Sequence, residues 1–241
     1  MLILSVALCL GMPATAATVK VAAASNFVAP LNALAADFAK RSGHQLQISS
    51  GATGKLFAQI SHGAPFEVFL AADDEAPGKL AAEGLARKDT LFTYATGRLV
   101  LWSSTGNTPN ENTLKTSDLN KLALANPKVA PYGRAAVEYL QAQGLYNGLK
   151  SKLVYGENIA QALQFVATGN AEYGLIAASL VMLDGQFTLG QGWLVPAQYH
   201  QPIRQDAVLL NLGQGNAAAT AFLHYLKSAP AQQIIRRYGY Q

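Results

Sequence analysis

Half of the 241 residues are hydrophobic, ample for real cores, and after removal of an apolar start the length allows one large domain or two small ones. The net charge of +4 is spread thinly, with no basic cluster beyond Arg236-Arg237. The basic stripe with interleaved aromatics that marks nucleic-acid binding is therefore missing. At most, the mild positive field favours small anions.

Residues 1–17 contain no charged side chain, and residues 2–11 are almost wholly apolar. The run ends at Ala14-Thr15-Ala16, which has the small-x-small form of a secretory cleavage site. It is too short to span a bilayer as a stable helix. A signal peptide over residues 1–16 and an exported, periplasmic product are expected. No other apolar run is long enough to cross a membrane, which predicts a soluble product. Cys9, the only cysteine, lies inside this run, and Leu8 before it argues against a lipid anchor. The mature chain then has no thiol for a disulfide, a zinc-thiolate site or a nucleophile.

The mature chain alternates strand and helix. Residues 19–24 read as a strand, with Ser25-Asn26 as a cap. Pro30 in a first turn, then Leu31, Leu34, Ala35 and Phe38, give an amphipathic helix that Ser42-Gly43 end. Leu46 and Ile48 mark a second strand, and residues 68–72 a third, with Asp73, Asp74 and Glu75 at the next helix start. This order implies a parallel, doubly wound α/β sheet. Residues 98–102 form another strand, and after a polar loop the pattern restarts. Strands are expected at 122–125, 153–155 and 173–177, each with a helix after it. The tail adds a strand at 207–212 and a helix at 217–226, too little for a third domain. If the first lobe takes the tail back, the chain crosses between lobes twice, near Arg98 and near Arg204. The expected division is 17–97 plus 206–241 for one lobe and 98–205 for the other, with a hinge and a cleft between them.

The stretch SSGATGKLFAQI, residues 49–60, carries the sharpest functional signal. A glycine- and hydroxyl-rich turn delivers the chain into a helix, whose first N–H groups have no internal partner and carry the positive end of the dipole. Such an entry suits an anion. It is no nucleotide P-loop: only Ala52 and Thr53 separate Gly51 from Gly54, and Leu56 follows Lys55. Taken alone, Thr53 is an ordinary helix cap. Three further turns share the design, at Ser25-Asn26, Tyr132-Gly133 and Asn158-Ile159. In open α/β sheets ligands bind beyond the carboxyl ends of strands, where these turns lie.

The segments AAASNF, SSGATGKLFAQI, GAPFEVFLAADDE, FTYATGRLVLW, APYGRAA and RRYGY together resemble the periplasmic molybdate-binding proteins of ABC importers, along nearly the whole mature chain. The resemblance implies two lobes of the type II periplasmic binding protein fold closing on molybdate or tungstate. Ser25, Asn26, Thr53, Tyr132 and Ile159 stand at the family's ligand positions, Ile159 through its backbone N–H, and molybdenum is held as its oxyanion without direct metal ligands. Thr53 replaces the family's usual Ser. Ala177 stands near the place of a tyrosine that some members use, so that contact is expected to be absent. No cofactor is implied, the partner is a membrane permease, and the working unit is a monomer. Molybdate and tungstate act only as acceptors at neutral pH, so donors alone suit them. Phosphate rewards a carboxylate, and none of the four turns places one there; Glu157, beside Asn158, is expected on the exposed side. Sulfate differs by size.

Three other readings set the contrast. An enzyme would want a His near a Ser with an orienting acid. His44, His62, His200 and His224 lie near element ends, none at metal-ligand spacing to another. The sensing half of a transcription regulator would need a helix-turn-helix. A receptor for an organic acid would clamp the carboxylate with an Arg, for which Arg134 is the candidate.

Overall fold

The computed structural model describes residues 16–106, 108–116 and 119–241. The expected signal peptide, with Cys9 and all but Ala16 of the cleavage motif, lies outside them. Three strand–helix units open the described chain. β1 (Thr18–Ala24) leads to α1 (Val28–Ser42), β2 (Gln45–Gly51) to α2 (Thr53–Ser61) and β3 (Val68–Leu70) to α3 (Glu75–Ala82). Leu31, Leu34 and Phe38 are the buried stripe of α1. The helix stops at Gly43, whose left-handed backbone returns its N–H to the Ala39 carbonyl at 2.9 Å.

β4 (Phe92–Gly97) then runs into β5 (Leu99–Ser103) with only Arg98 between them. Beyond α4 (Thr113–Thr116) come β6 (Leu122–Ala125), α5 (Pro131–Ala142), α6 (Tyr146–Leu149), β7 (Leu153–Gly156), α7 (Ile159–Ala167) and β8 (Tyr173–Ala177). A small hairpin of β9 (Met182–Leu183) and β10 (Gln186–Phe187) precedes β11 (Gln191–Leu194). β12 (Ile203–Leu209), α8 (Ala217–Leu226) and α9 (Ala229–Arg237) finish the chain.

These strands form two five-stranded sheets, in the orders β2-β1-β3-β12-β4 and β11-β5-β8-β6-β7. The first is built before the crossing at Arg98 and completed after the return, so the chain passes between lobes twice. Helices flank both sheets, which makes the α/β, doubly wound, two-lobed architecture. Neither sheet is wholly parallel, contrary to the pattern expected from the alternation. β12 runs antiparallel to β3 and β4, and β5 runs antiparallel to β8 and β11. The reversed strands are the ones next to the crossings, because a strand that arrives straight from the other sheet has no helix to turn it round.

Other local readings change too. β4 was not visible as a strand, since its segment FTYATG mixes polar and small residues and is only partly buried. No helix follows β8: Ala178–Leu180 is a single 3-10 turn leading to the hairpin. Asp184 and Gly185, at φ 50° and 80°, make the hairpin turn that a DG pair favours. β12 begins at Ile203, before the apolar run that announces it, because the polar Arg204 and Gln205 pair with Thr96 and Ala95 of β4.

The first sheet buries both faces. Val19, Val21 and Ala23 pack with Leu31, Phe222 and Ile235, whereas Ala22, Phe69 and Ala71 pack with Leu56 and Leu80. Tyr240 and Ile235 join the first of these cores, which fixes the tail to the first lobe. Leu99, Leu124 and Ile176 lie in one core on the second sheet. Among the described residues no helix is long and apolar enough to cross a membrane.

Candidate functional site

Strand register brings the four turns level. Ala24, the last residue of β1, sits opposite Gly51, the last of β2, and Ala125 sits opposite Gly156 at the ends of β6 and β7. The chain leaves the first pair into the Ser25–Phe27 turn and α2, and the second pair into α5 and α7. A cavity of about 10 Å³ lies where these exits meet, lined by Ser25, Asn26, Thr53, Tyr132 and Ile159 among others. All five residues named from the sequence are therefore brought together, and all five are buried. That volume is on the order of a single water-sized sphere. Among the described residues that line it, none is charged.

Each residue meets the cavity for a local reason. Thr53 is the first residue of α2, so its N–H has no intrahelical acceptor. Its hydroxyl accepts the Ala72 N–H at 3.0 Å and keeps its own proton to donate. Tyr132 follows Pro131 at the start of α5, where proline loses no helical bond. Its N–H is likewise a first-turn donor. Ile159 opens α7, capped by Asn158, whose side chain accepts the Gln161 N–H at 3.1 Å. Asn158 is thus a cap, spent within its own helix.

Asn26 is placed differently from a side-chain donor to a ligand. Both its amide hydrogens are engaged, one on Gln205 Oε1 and one on the Tyr240 hydroxyl, each at 2.8 Å. Its carbonyl accepts from Ser179 Oγ at 2.8 Å and from Tyr240 at 3.1 Å. What Asn26 has left for the cavity is its backbone. It ties the first turn to β12, to the tail and, through Ser179, to the second lobe. Gly54 is similar: its N–H goes to the Val129 carbonyl across the cleft at 2.9 Å. A β-carbon at Gly54 would lie 3.2 Å from Val129 Cα and O, so glycine permits this approach.

Two ion pairs also bridge the cleft. Arg134 meets Asp73 at 2.7 Å and Lys55 meets Glu157 at 2.9 Å. Arg134 therefore turns toward a carboxylate at the rim and does not line the cavity, which removes the clamp an organic-acid receptor would need. Glu157 is on the exposed side of its turn, as expected. The histidines are scattered: Nδ1 of His44, His62 and His200 contacts backbone at Ala17, Ala58 and Gln201, and His224 is in the last turn of α8. Among the described residues no cluster of His, Cys, Asp and Glu is placed to hold a metal ion.

Behind the cavity stand three buried phenols. Burial pushes Tyr94 and Tyr132 well above the ordinary tyrosine value; Tyr240 and Asp206 add to it at Tyr94, and Tyr240, by charge and by hydrogen bonding, with Tyr94 at Tyr132. Tyr240 is pushed up to about 12 by burial, opposed by its interactions with Ser179, Asn26 and the Tyr132 hydroxyl. All three stay neutral at any physiological pH. Nothing in the local sequence around Tyr240, Ser179 or Gln205 points to this site. The only trace of this group was the closing RRYGY segment, which contains Tyr240.

An uncharged cavity of helix-start donors, set between two α/β lobes at the carboxyl ends of their strands, is the site of a small-solute receptor that closes on its ligand. Comparison with known proteins gives the same class. The family model for bacterial extracellular solute-binding proteins matches residues 19–241, and the chain belongs to that family. It is 51% identical to the molybdate-binding protein ModA of Azotobacter vinelandii over 96% of this chain and 92% of that one. Against ModA of Rhodobacter capsulatus it is 45% identical, over 96% and 91%. The solved periplasmic molybdate-binding protein of Azotobacter vinelandii superposes with a TM-score of 0.89 at 37% identity, covering 92% of this chain and 98% of that chain.

Proposed function

We propose that this protein is the periplasmic receptor of an ABC importer, capturing molybdate or tungstate between its lobes and delivering it to a membrane permease. The observation that carries this reading is the meeting of four turns, each ending in unspent donors, at one cavity without a charged wall. The hydroxyls of Ser25 and Thr53, the N–H groups of Thr53, Tyr132 and Ile159, and the backbone of Asn26 are the ligand's contacts. Fixed dipoles of this kind replace the hydration of a dianion without a counter-charge. The carboxylates nearest the cleft support an acceptor-only ligand. Asp73 is paired with Arg134 and Glu157 with Lys55, and neither lines the cavity, so neither is placed to accept a proton from hydrogen phosphate there.

Size supports a small ligand over an amino acid or sugar. The lobes are residues 17–97 with 206–241, and residues 98–205. The register shift between Gln205 and Asp206 in β12 falls at the second of these limits. The protein works as an exported monomer, with the permease reading both lobes at once.

Titration calorimetry on residues 17–241, after exhaustive dialysis, tests this with molybdate, tungstate, sulfate and phosphate in parallel. Tight one-to-one binding of the first two, with little for the others, is expected. Silence toward all four would refute it.

A further inference from the structure

The Ser25–Phe27 turn differs from the other three. They open helices of nine to twelve residues, whereas it is one 3-10 turn between β1 and α1. Three residues with 3-10 bonds hold their own geometry weakly. This turn is fixed from outside, through the buried Asn26, whose amide meets Gln205 and Tyr240 and whose carbonyl meets Ser179 and Tyr240. Of these partners, Tyr240 serves both ends of the residue. Its oxygen accepts one amide hydrogen at 2.8 Å, and its hydroxyl donates toward the carbonyl at 3.1 Å.

Tyr240 is itself held from both sides. Gln241 donates its N–H to the Thr96 carbonyl at 3.0 Å, and Thr96 returns its own to the Gln241 carbonyl at 2.6 Å. Arg98 Nε donates to the Gly239 carbonyl, also at 2.6 Å. Gly239 has φ 85°, a left-handed backbone that suits glycine, and a β-carbon there would lie 3.1 Å from the Arg98 guanidinium. Thr96 and Arg98 flank the first crossing between the sheets, so both neighbours of Tyr240 are pinned to that crossing. Its ring packs edge-on against Phe27 of the same turn, 5.6 Å between centroids. Ser179, 3.1 Å from the Tyr240 hydroxyl, follows β8 of the second sheet, and the Tyr132 hydroxyl of α5 interacts with Tyr240 as well. One neutral phenol therefore joins the crossing, both sheets and a wall of the cavity.

We propose that Tyr240 is a positioning residue for the solute site: it does not line the cavity, and it sets Asn26 where its backbone meets the solute. A site made of fixed dipoles depends on such placement, because each donor must sit within about 0.5 Å of its productive position. Without the hydroxyl, one Asn26 amide hydrogen loses its acceptor and the Asn26 carbonyl keeps Ser179 alone. The turn then samples more than one geometry, and the solute meets it in the right one only part of the time. This deepens the reading that an oxyanion binds between the lobes, and rests on it.

The test is Tyr240→Phe, which keeps the ring against Phe27 and removes one oxygen. Molybdate should bind roughly 2- to 12-fold more weakly, the range for one lost hydrogen bond. A merely structural role would lower the melting temperature of the empty protein and leave the dissociation constant of the folded variant unchanged, which would overturn the proposal. Asn26→Ala, which removes the amide that Tyr240 grips, tests the route. In that background Tyr240→Phe should weaken binding by a smaller factor than it does alone, and equal factors would refute positioning through Asn26. Ser179→Ala stands in should the Phe variant fail to fold. It removes the other bond to the Asn26 carbonyl, so a loss in the same range is expected, and undiminished affinity would count against the proposal. Hydrogen exchange at residues 25–27 of the empty protein reads the hold without any solute. It should quicken in Tyr240→Phe, and unchanged exchange would overturn the proposal. If the wild type itself ignores molybdate, the functional reading fails, and the exchange comparison still decides whether Tyr240 holds the turn.

Discussion

Thr53→Val is the substitution that separates a ligand contact from a helix start. The side chain is buried and nearly isosteric with valine, so the cavity shape is kept while the hydroxyl goes. Two losses follow from the geometry. The Ala72 N–H, which now finds Thr53 Oγ1 at 3.0 Å, is left unpaired in the interior. That costs about 1–3 kcal/mol of stability with or without ligand, or roughly 2–12 °C in melting temperature for a chain of this size. The second loss appears only with the anion present. A hydrogen bond to a charged group contributes about 1.5–3 kcal/mol, so the dissociation constant should rise roughly 10- to 150-fold. Calorimetry with molybdate and thermal melting of the empty protein measure the two effects separately. Thr53→Ser keeps the hydroxyl and loses one buried methyl, about 0.8 kcal/mol of stability, and should keep most of the affinity. A Val variant that melts lower but binds within threefold of wild type would refute the ligand role. Thr53 would then serve only the Ala72 N–H.

The remaining predictions concern charges around the cavity. Arg134→Ala breaks a pair that is partly exposed, of a kind that contributes about 0.2–1 kcal/mol, so affinity for molybdate should fall less than about fivefold. The difference should shrink in high salt, where such pairs are screened. Abolished binding would instead mark Arg134 as a ligand clamp and revive the organic-acid receptor. Asp206 gives a pH dependence of the opposite sign to most carboxylates. Burial raises its pKa, with Asp74 and Asp73 adding, although the Thr93 hydroxyl at 2.7 Å opposes the shift. The folded chain therefore holds this proton more tightly than the unfolded one, and stability falls as pH climbs through the raised pKa. Asp206→Asn keeps the Thr93 bond and should melt higher than wild type at neutral pH, with the gain vanishing below the ordinary aspartate range. A variant less stable at neutral pH would contradict this.

Much of the site was legible because turn chemistry is local. Residues 49–60 announce a strand end, a glycine turn and a helix start in one run, and the structure puts Gly51 and Thr53 at those places. Ser25, Tyr132 and Ile159 follow from the same pattern at three other strand ends. What local pattern does not carry is the partner of a side chain. Asn26 reads as one more donor, yet its amide is consumed by Gln205 and Tyr240, residues 179 and 214 positions away in the chain. Arg134 stands beside a turn at the cavity and still points to Asp73, because helix phase carries its long side chain to the rim. β4 escaped for a related reason: its residues owe their strand to pairing with β12, which the chain reaches only after passing through the other lobe.

The same distinction separates what position supplies at residue 132 from what its side chain supplies. A first-turn N–H is supplied by position, so any residue at 132 would present it, proline excepted. The side chain there is free to be selected for something else. In this fold it is a tyrosine whose tip reaches a glycine on the opposite lobe. The backbone at the cavity and the ring against Gly97 thereby meet different neighbours without competing. Tyr132→Phe therefore leaves every proposed ligand donor in place. A change in affinity from Tyr132→Phe would report on the packing between the lobes, whereas a change from Thr53→Val reports on the contact itself.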